Sequence, residues 1–490
     1  MHYLLDQASK HKNDVAVLSH HHSYTYEELL NASALLAAEI LIDKMDLDQA
    51  RVAYMVSPGF YYIKTQWAIW QAGGVAVPLC ISYPAHSLIY VIEHVQAEII
   101  IADKEYQSII KPIATQRNIR FILLENRNSI NKVLPKIDPA RNALILFTSG
   151  TTNLPKGVVT THRNIQSQIT SLIDAWRWSP SDHILCVLPL HHVHGIINVV
   201  SCALYAGAEL EFADFDPQKI FDIFLQGEVN VFMAVPTIYF KLISYYENQS
   251  YDVRIKISNA LSNFRLMVSG SAALPVSVLE KWKQISRHTL LERYGMTEIG
   301  MAISNPYDGE RKAGYIGKPL PGVQVRLVNE ANHTLGENQP GEIQIKGDNV
   351  FKEYWNNPDA TLKSFTADDW FKTGDIAIVE NGYYRIMGRD SIDIIKSGGY
   401  KISALEIEEV LRVHPDVKDI SIVGVPDDEW GELVAAVIIP INQNLDLSLI
   451  TTYAREKMPN YKIPRKYKLV DDFPRNAMGK VLKNELKKLF

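Results

Sequence analysis

A loop rich in hydroxyl groups and glycine, FTSGTTNLPKG at 147–157, begins at the end of the apolar run ALILF at 143–147. Small residues let backbone N–H groups approach phosphate oxygens, and the hydroxyl groups and Lys156 add further donors and a positive charge. The loop is not a Walker A motif, because Lys156 lies six residues after Gly150 and follows Pro155 instead of a glycine. We therefore predict a polyphosphate site at this loop, with a plain surface turn as the alternative.

Three further segments carry groups that suit a nucleotide. The segment ERYGMTE at 292–298 offers a tyrosine for stacking, a turn, a hydroxyl donor and Glu298, whose carboxylate could hold Mg²⁺. Taken alone, that segment favours an ordinary loop. In WFKTGD at 370–375, Asp375 could accept hydrogen bonds from both hydroxyls of a ribose, and Arg389 could donate to the same sugar. Solvated turns would explain these last two residues equally well.

The composition excludes several classes of protein. The chain has 490 residues, with 50 Lys and Arg against 55 Asp and Glu, so it has no chain-wide basic field for nucleic acid or an anionic membrane. With 47% hydrophobic and 21% charged residues, the composition is that of a folded globular protein. Three cysteines without a CxxC pair support neither a disulfide framework nor a cysteine-rich zinc site. Since we find no signal peptide and no run of about 18 apolar residues, we expect a cytoplasmic protein without a transmembrane segment, either a monomer or a homodimer.

Short apolar runs alternate with helical patterns over residues 1–390, which is typical of α/β proteins with parallel sheets. Thr25 and Glu28 have the spacing of a capping box and predict a helix from Tyr26. The strand candidates are 52–56, 75–79, 98–102, 143–147, 184–188, 231–235 and 264–270. After residue 390 the pattern changes to short strands, a helix with Ser403 and Glu406 in capping-box register, and a Lys-rich end. We predict a large domain at 1–389 and a small domain at 390–490.

Five motifs in order resemble the adenylate-forming superfamily of acyl-CoA synthetases, luciferases and nonribosomal adenylation domains. They are TSGTTNLPKG, YGMTE, WFKTGD, GRDSIDIIKSGGYKISALEIEEVL and PRNAMGKVLK, and together they span nearly the whole chain. The resemblance implies a large N-terminal α/β body with mixed and parallel sheets, and a small, mobile α+β C-terminal domain that turns about a hinge at Asp390. It also implies ATP, Mg²⁺ and CoA as cofactors and cosubstrates, and a small-molecule carboxylic acid as the other substrate.

The same resemblance implies a role for each matching residue. Lys480 would reach the substrate carboxylate and the α-phosphate, and Thr297, Glu298 and Lys156 would act with it in catalysis, Glu298 as the Mg²⁺ ligand. The residues that would bind ATP are Thr148, Ser149, Gly150, Thr151, Thr152, Lys156, Tyr294, Gly295, Thr297, Asp375, Arg389 and Lys480. Those that would contact CoA are Lys396, Ser397, Gly398 and Gly399. Asn153 stands where the family usually has glycine; because asparagine tolerates positive φ, we expect the turn to persist.

The residue before the motif tyrosine, Arg293, points to the kind of acid. In this superfamily the position lies beside the acyl pocket and is usually small or neutral, so an arginine suggests a second carboxylate on the substrate. The alternative is a structural pair with Glu292 or another acid. The fuller segments QWAIWQAGGVAVPL, LPLHHVHG, VSGSAALP and ERYGMTEIGMAISNPYDGERKAGYIGKPLPGV resemble malonyl-CoA synthetases. That closer resemblance implies an acyl site made by Arg293, Ser271 and His192, with His194 in a structural role.

The predicted activity is ATP-dependent adenylation of malonate or methylmalonate, followed by thioester formation with CoA and release of AMP and pyrophosphate. Three alternatives stay open at this point. The chain could activate another short or medium-chain acid, could charge a carrier protein as a stand-alone adenylation domain, or could be a non-catalytic scaffold that kept the fold. A metal site at the histidines of LPLHHVHG is not favoured, because cysteine and carboxylate partners are absent nearby in the sequence.

Overall fold

The structure is a computed structural model, and it describes residues 3–19, 22–124, 132–148, 155–442, 445–475 and 480–490. Its strands are β1 Val15–Ser19, β2 His22–Thr25, β3 Arg51–Met55, β4 Val75–Pro78, β5 Ile99–Ala102, β6 Arg120–Leu123, β7 Asn142–Thr148, β8 Lys156–Thr161, β9 His183–Cys186, β10 Glu209–Phe212, β11 Val231–Ala234, β12 Leu266–Ser269, β13 Leu291–Met296, β14 Gly300–Ser304, β15 Lys318–Pro319, β16 Gln324–Val328, β17 Gly341–Lys346, β18 Glu353–Tyr354, β19 Phe371–Glu380, β20 Tyr383–Arg389, β21 Ile394–Ser397, β22 Tyr400–Ser403, β23 Val417–Asp427, β24 Gly431–Pro440 and β25 Lys466–Leu469.

The helices alternate with these strands over most of the chain. They are α1 Tyr3–Ala8, α2 Tyr26–Leu41, α3 Phe60–Gln71, α4 Ala85–His94, α5 Gln107–Gln116, α6 His162–Trp176, α7 Cys202–Ala206, α8 Pro217–Gln226, α9 Pro236–Glu247, α10 Tyr251–Leu261, α11 Val276–Ser286, α12 Pro358–Ser364, α13 Ala404–Arg412, α14 Leu447–Lys457 and α15 Lys483–Lys487. A π-helical segment, His194–Ser201, precedes α7. None of the helices in the described part of the chain combines the length and the apolar character needed to cross a membrane.

Two large sheets form the N-terminal body. One has the order β15-β14-β13-β12-β11-β9-β10-β1-β2, and the other has the order β18-β8-β7-β4-β3-β5-β6. Both are parallel in the middle and antiparallel at an edge, where β13 pairs with β14 and β7 with β8. The central strands are apolar on both faces, as in β11, where every residue is buried, because helices cover both sides of such sheets. This is the mixed α/β body that the sequence predicts.

Two smaller sheets follow. Strands β16, β17, β19 and β20 form an antiparallel sheet that ends at Arg389. Beyond it, β22, β21, β24 and β23 form an antiparallel sheet, with β25 added in parallel beside β24 and helices α13 and α14 packed on its apolar residues. The α+β character expected after residue 390 is confirmed, and the division at 389 stays a prediction.

The strand that leads into the phosphate loop is anchored in the core. Trp67 and Trp70 of α3 are fully buried, and the Trp70 indole N–H donates to the backbone oxygen of Ala143 in β7 at 2.7 Å. Burial of each such aromatic side chain contributes roughly 2–3 kcal/mol. Helix α3 therefore holds β7, and with it the start of the loop, in a fixed position.

The two predicted capping boxes have different outcomes. Thr25 and Glu28 form a complete box at the start of α2, with reciprocal side-chain and backbone hydrogen bonds. At α13, the Ser403 hydroxyl accepts the hydrogen bond from Glu406 N at 3.2 Å, but the Glu406 carboxylate turns to Arg385 and Lys462. The second box is therefore only half formed, because Glu406 joins α13 to strand β20 before residue 390.

Candidate active site

The ends of the predicted phosphate loop are held together by strand pairing. Thr148 at the end of β7 pairs with Lys156 at the start of β8. The predicted ATP ligands Ser149, Gly150, Thr151 and Thr152, and also Asn153, lie outside the described residues. Lys156 is placed with its ammonium group 5.0 Å from the centre of the Tyr354 ring. The loop's only cation, counted in the sequence 147–157, therefore lies over an aromatic face at the mouth of the loop.

The predicted magnesium ligand lies beside this lysine. The Glu298 side chain is 8% exposed, and its Oε1 accepts a hydrogen bond from the Tyr354 hydroxyl at 2.9 Å. Burial raises the pKa of Glu298, while the Tyr354 hydroxyl and the charges of Arg389 and Lys156 act in the opposite direction. Lys156, Tyr354 and Glu298 thus form one cluster of a cation, an orienting hydroxyl and an acid.

A second cluster has the groups expected around a ribose. Asp375 Oδ2 accepts from the Tyr294 hydroxyl at 2.6 Å, and Asp375 Oδ1 accepts from Arg389 Nε at 2.9 Å. Thr373 fixes the turn, since its hydroxyl accepts from Asp375 N at 3.1 Å and its carbonyl accepts from Arg389 Nη2 at 3.1 Å. Burial alone would lower the pKa of Arg389, but the Asp375 carboxylate outweighs it and raises that pKa. The structure therefore brings together three residues from three separate predicted motifs.

The hairpin between β13 and β14 connects the two clusters. Tyr294 lies in β13, Thr297 and Glu298 lie in the following turn, and β14 starts at Gly300. A Cβ atom on Gly295 would lie 2.0 Å from the Gly300 carbonyl oxygen, so only glycine permits the two strands to approach this closely. The glycine of the YGMTE motif is therefore explained by packing inside the hairpin.

Arg293 points away from the nucleotide residues, on the other side of β13. Its side chain is 3% exposed, and its Nη2 donates to the Ser271 hydroxyl at 3.3 Å. Ser271 Oγ is in turn 3.2 Å from His194 Nδ1. The guanidinium lies directly against Gly270, where a Cβ would be 2.5 Å from Arg293 Cζ. Arg293, Ser271 and His194 therefore converge from β13, the loop after β12 and the start of the π-helical segment.

The Arg293 guanidinium forms no ion pair within the described part of the chain. Glu292 is adjacent in sequence but forms no ion pair with it, and Glu292 Oε1 instead accepts from Leu274 N at 3.3 Å. Arg293 Nε is buried without a hydrogen-bond partner. Burial lowers the pKa of Arg293 to about 9 and raises that of Glu292 to about 8. A buried cation without an ion pair is chemically suited to an anionic partner.

The remaining histidines of LPLHHVHG are desolvated. The His191 and His192 rings lie 4.1 Å apart, and burial lowers their pKa values to about 3 and about 4. Burial also lowers the pKa of His194, with the Arg293 charge acting in the same direction. His194 contacts Ser271, and the acyl-site role of His192 stays a prediction. Within the described residues, no group of three or more His, Cys, Asp or Glu side chains is arranged to hold a metal ion.

The predicted CoA-binding residues form the hairpin between β21 and β22. Gly398 and Gly399 make its turn with φ of +55° and +81°, and Gly398 N donates to the Trp430 carbonyl at 2.9 Å. Ser397 is buried, whereas Lys396 is exposed, with its ammonium 3.9 Å from Asp390 Oδ1. In the described ranges, these residues make no hydrogen bond or ion pair to the nucleotide clusters.

Lys480 lies on the tail that packs against the end of β20. Asp393 links the two, because its Oδ2 accepts from Arg389 N at 3.1 Å and its Oδ1 is 2.7 Å from the Lys483 ammonium. Burial alone would raise the pKa of Asp393, but Lys483 and, more weakly, Lys480 lower it. The exposed Lys480 is therefore on the same side of the molecule as Arg389.

Sequence reasoning missed two residues of the site. Tyr354 lies 56 positions from Glu298 and 198 from Lys156, and only the pairing of β18 with β8 brings it to them. No local signal marked it. His194 stands within the segment LPLHHVHG, but its contact with Ser271 joins residues 77 positions apart.

Comparison with known proteins places the chain in a family. Residues 4–355 match the AMP-binding enzyme family, and residues 406–480 match the AMP-binding enzyme C-terminal domain. The chain is 42% identical to a mitochondrial malonate–CoA ligase of Xenopus laevis over 513 residues, which covers 96% of this chain and 89% of that protein. ATP-bound MatB from Rhodopseudomonas palustris gives a TM-score of 0.91 at 32% identity, covering 100% of this chain and 98% of that one. A malonyl-CoA ligase in a ternary product complex with methylmalonyl-CoA and AMP gives a TM-score of 0.71, also at 32% identity, covering 97% and 100%. This chain belongs to the AMP-binding enzyme family.

Proposed function

We propose that this enzyme joins malonate, or its methyl derivative, to CoA in two steps, through an acyl-adenylate. The observation that carries the choice of acid is the buried Arg293 guanidinium, which has no carboxylate partner in the described ranges and touches Ser271. A second carboxylate on the substrate would supply that partner. An aliphatic acyl chain would instead leave the charge desolvated and unpaired, which is strongly unfavourable. The malonate–CoA ligase at 42% identity supports the same acid.

ATP would bind across the two clusters. Each oxygen of Asp375 accepts one hydrogen bond within the protein and has a second lone pair, so both can still accept from ribose hydroxyls. Tyr294 would lie against the adenine, and Arg389 would hold Asp375 in place. Thr148, Ser149, Gly150, Thr151, Thr152 and Lys156 would surround the phosphates, with Thr297 at the α-phosphate.

A magnesium ion fits the donor set. Mg²⁺ in nucleotide sites typically takes one or two carboxylates and completes its coordination with phosphate oxygens and water. Glu298 offers one carboxylate whose Oε1 is oriented by Tyr354, and burial disfavours its charge until a cation is near. When bound, the ion would neutralise phosphate charge. Within the described residues, no group of three or more His, Cys, Asp or Glu side chains could hold the ion instead.

In the first step, the substrate carboxylate oxygen attacks the α-phosphorus, and the bond from that phosphorus to the pyrophosphate oxygen breaks. The protein lowers the barrier by aligning the acid through Arg293 and by placing cations where negative charge grows. Lys156 would act on the phosphates and Lys480 on the carboxylate and α-phosphate oxygens. A desolvated site strengthens both interactions.

In the second step, the sulfur of CoA attacks the acyl carbonyl and AMP leaves. Lys480 would withdraw as the C-terminal region turns about Asp390 and brings Lys396, Ser397, Gly398 and Gly399 towards the acyl group. The turn made by the two glycines would give a narrow thiol arm room beside the backbone. Their present position away from the nucleotide clusters is consistent with an arrangement for the first step.

The decisive experiment measures pyrophosphate release with malonate, methylmalonate, acetate, butyrate and octanoate, with and without CoA. We expect the highest kcat/KM with malonate or methylmalonate, and a thioester product that requires only CoA as acceptor. Preference for octanoate would contradict the dicarboxylate assignment. Adenylate that accumulates in the presence of CoA would favour a carrier protein as the acceptor. The Xenopus relative is named as mitochondrial, and the cytoplasmic location of this chain stays a prediction for cell fractionation.

A further inference from the structure

Helix α11 begins without a cap of its own. Its N-cap position is Pro275, which has no side-chain acceptor, so the first amides of the helix need a partner from elsewhere. Glu409 supplies it for Val276, and Glu292 binds the amide of Leu274, one residue before the N-cap. Glu292 Oε1 accepts from Leu274 N at 3.3 Å, and Glu409 Oε2 accepts from Val276 N at 3.1 Å. Glu292 belongs to β13 beside the acid site, whereas Glu409 belongs to α13, after residue 390.

The capped segment also carries the acid site. Residues 271–276 start at Ser271, which holds a left-handed φ of +71°, a conformation that non-glycine residues adopt rarely. The Ser271 hydroxyl contacts Arg293 and His194. A segment of six residues is therefore held by the acid site at Ser271, by Glu292 at Leu274 and by the C-terminal region at Val276.

Glu409 is itself oriented for this contact. Arg412 Nη1 donates to Glu409 Oε1 at 3.0 Å, and Arg412 Nε donates to Asp419 at 3.3 Å. The free oxygen of Glu409 then faces Val276 N. Glu292 and Glu409 bind amides two positions apart, at Leu274 and Val276, so the two carboxylates approach the same segment from different regions.

We propose that Glu409 is a positioning residue that couples the orientation of the C-terminal region to the acid site. When α13 lies against α11, Glu409 caps Val276 and fixes the segment that presents Ser271 to the substrate. When the C-terminal region turns away, the cap is lost and the segment loosens. This inference rests on the proposed function, because it assigns Ser271 to acid binding.

The orientation in which the contact exists is the one expected for the first half-reaction. Over the whole chain, this structure agrees better with the ATP-bound relative than with the ternary product complex, with TM-scores of 0.91 and 0.71. We therefore expect Glu409 to act in adenylation and not in thioester formation. The contact would make tight binding of the acid depend on the arrangement in which α13 lies against α11, which is the arrangement expected for adenylation.

The first test separates the two half-reactions. Adenylation is followed as malonate-dependent exchange between pyrophosphate and ATP, and thioester formation as CoA consumption from pre-made malonyl-adenylate. For Glu409→Ala we expect KM for malonate in the exchange reaction to rise about tenfold, the scale of a lost helix cap, with the thioester step within twofold of wild type. Glu409→Gln, which keeps an acceptor oxygen, should fall between the two.

A matched control removes another contact between the same regions. Lys401 pairs with Glu330, and both side chains are exposed and distant in sequence from the 271–276 segment. Glu330→Gln should therefore leave KM for malonate within twofold of wild type. An equal rise in Glu330→Gln and Glu409→Ala, or equal slowing of both half-reactions in Glu409→Ala, would overturn the proposal.

A second measurement does not depend on the identity of the acid. Hydrogen exchange of the peptide covering 271–279 is compared in the ligand-free full-length proteins. Faster exchange in Glu409→Ala, with no change in Glu330→Gln, supports the cap; unchanged exchange in Glu409→Ala overturns it. If malonate is not the substrate, hydrogen exchange still shows whether Glu409 caps Val276. Failure of the cap and failure of the proposed function are therefore distinguishable.

Discussion

Replacing Arg293 with methionine should move stability and activity in opposite directions. The guanidinium is 3% exposed, has no ion pair within the described residues, and has a buried Nε without a partner. Burial lowers its pKa from 12.5 to about 9, which corresponds to roughly 5 kcal/mol of destabilisation of the charged form in the folded protein. Methionine has no charge to desolvate and fills a similar volume. We expect the free energy of unfolding of Arg293→Met to rise by about 1–3 kcal/mol.

The same substitution should abolish the preference for a dicarboxylate. Removal of one partner of a buried, hydrogen-bonded charge pair costs about 2–5 kcal/mol, because the other charge stays buried and unpaired. Expressed as kcat/KM for malonate, this is a loss of about 30-fold to 5,000-fold. Butyrate has no second carboxylate, so its kcat/KM should rise once the desolvated cation is gone.

The assay combines pyrophosphate release for both acids with urea unfolding of the ligand-free protein. A suitable control is Arg311→Met. That guanidinium is also partly buried, but it donates to backbone oxygens of Thr289, Tyr307 and Pro306. Its loss leaves these acceptors unsatisfied and should destabilise the protein by about 1–3 kcal/mol. If Arg293→Met destabilises the protein as Arg311→Met does, and malonate turnover stays within twofold of wild type, Arg293 is structural and the reasoning fails.

Two further predictions concern the rest of the site, and a third concerns the stability of the fold. Lys480→Ala should slow adenylation far more than thioester formation from pre-made adenylate, and equal losses in both half-reactions would contradict the role of Lys480. Tyr354→Phe removes the donor that lowers the pKa of Glu298, so the acid limb of the kcat/KM profile should move to higher pH; an unmoved limb would show that Tyr354 does not tune this carboxylate. Burial holds the pKa of His162 at about 3, against 6.5, so the stability it contributes is present above pH 6.5 and is lost as the pH falls towards 3, by roughly 3 kcal/mol at pH 4. His162→Asn should flatten the dependence of unfolding free energy on pH, whereas the control His333→Asn, at an exposed position, should not. If the curve stays steep in both variants, groups other than His162 cause the acid sensitivity.

Much of the fold could be predicted because its signals are local. Short apolar runs bounded by turn signals favour buried strands, and the structure places a strand at each of the predicted candidates, as at β3, β11 and β12. The Thr25–Glu28 box depends on residues three apart, and it formed as predicted. The Ser403 box formed by half, because Arg385, far away in the chain, competes for the Glu406 carboxylate.

The candidate site divides in the same way. Glycine, hydroxyl and carboxylate residues of the motifs could be identified by type and spacing, since the chemistry of a nucleotide requires them. Tyr354 could not be identified, because its role comes from the pairing of β18 with β8. The contact of His194 with Ser271 could not be identified either, because it joins residues 77 positions apart.

The sequence alone determined the reaction class, through five motifs that resemble the adenylate-forming superfamily, and it predicted the groups that carry the reaction. Tertiary structure decided three matters that depend on distance. It left Arg293 buried without an ion pair in the described ranges, although Glu292 is its neighbour in the chain. It joined Tyr294, Asp375 and Arg389 into one hydrogen-bonded cluster. It also placed Glu409 at the start of α11. Such contacts form between residues far apart along the chain, and their energy depends on burial, which no local pattern records.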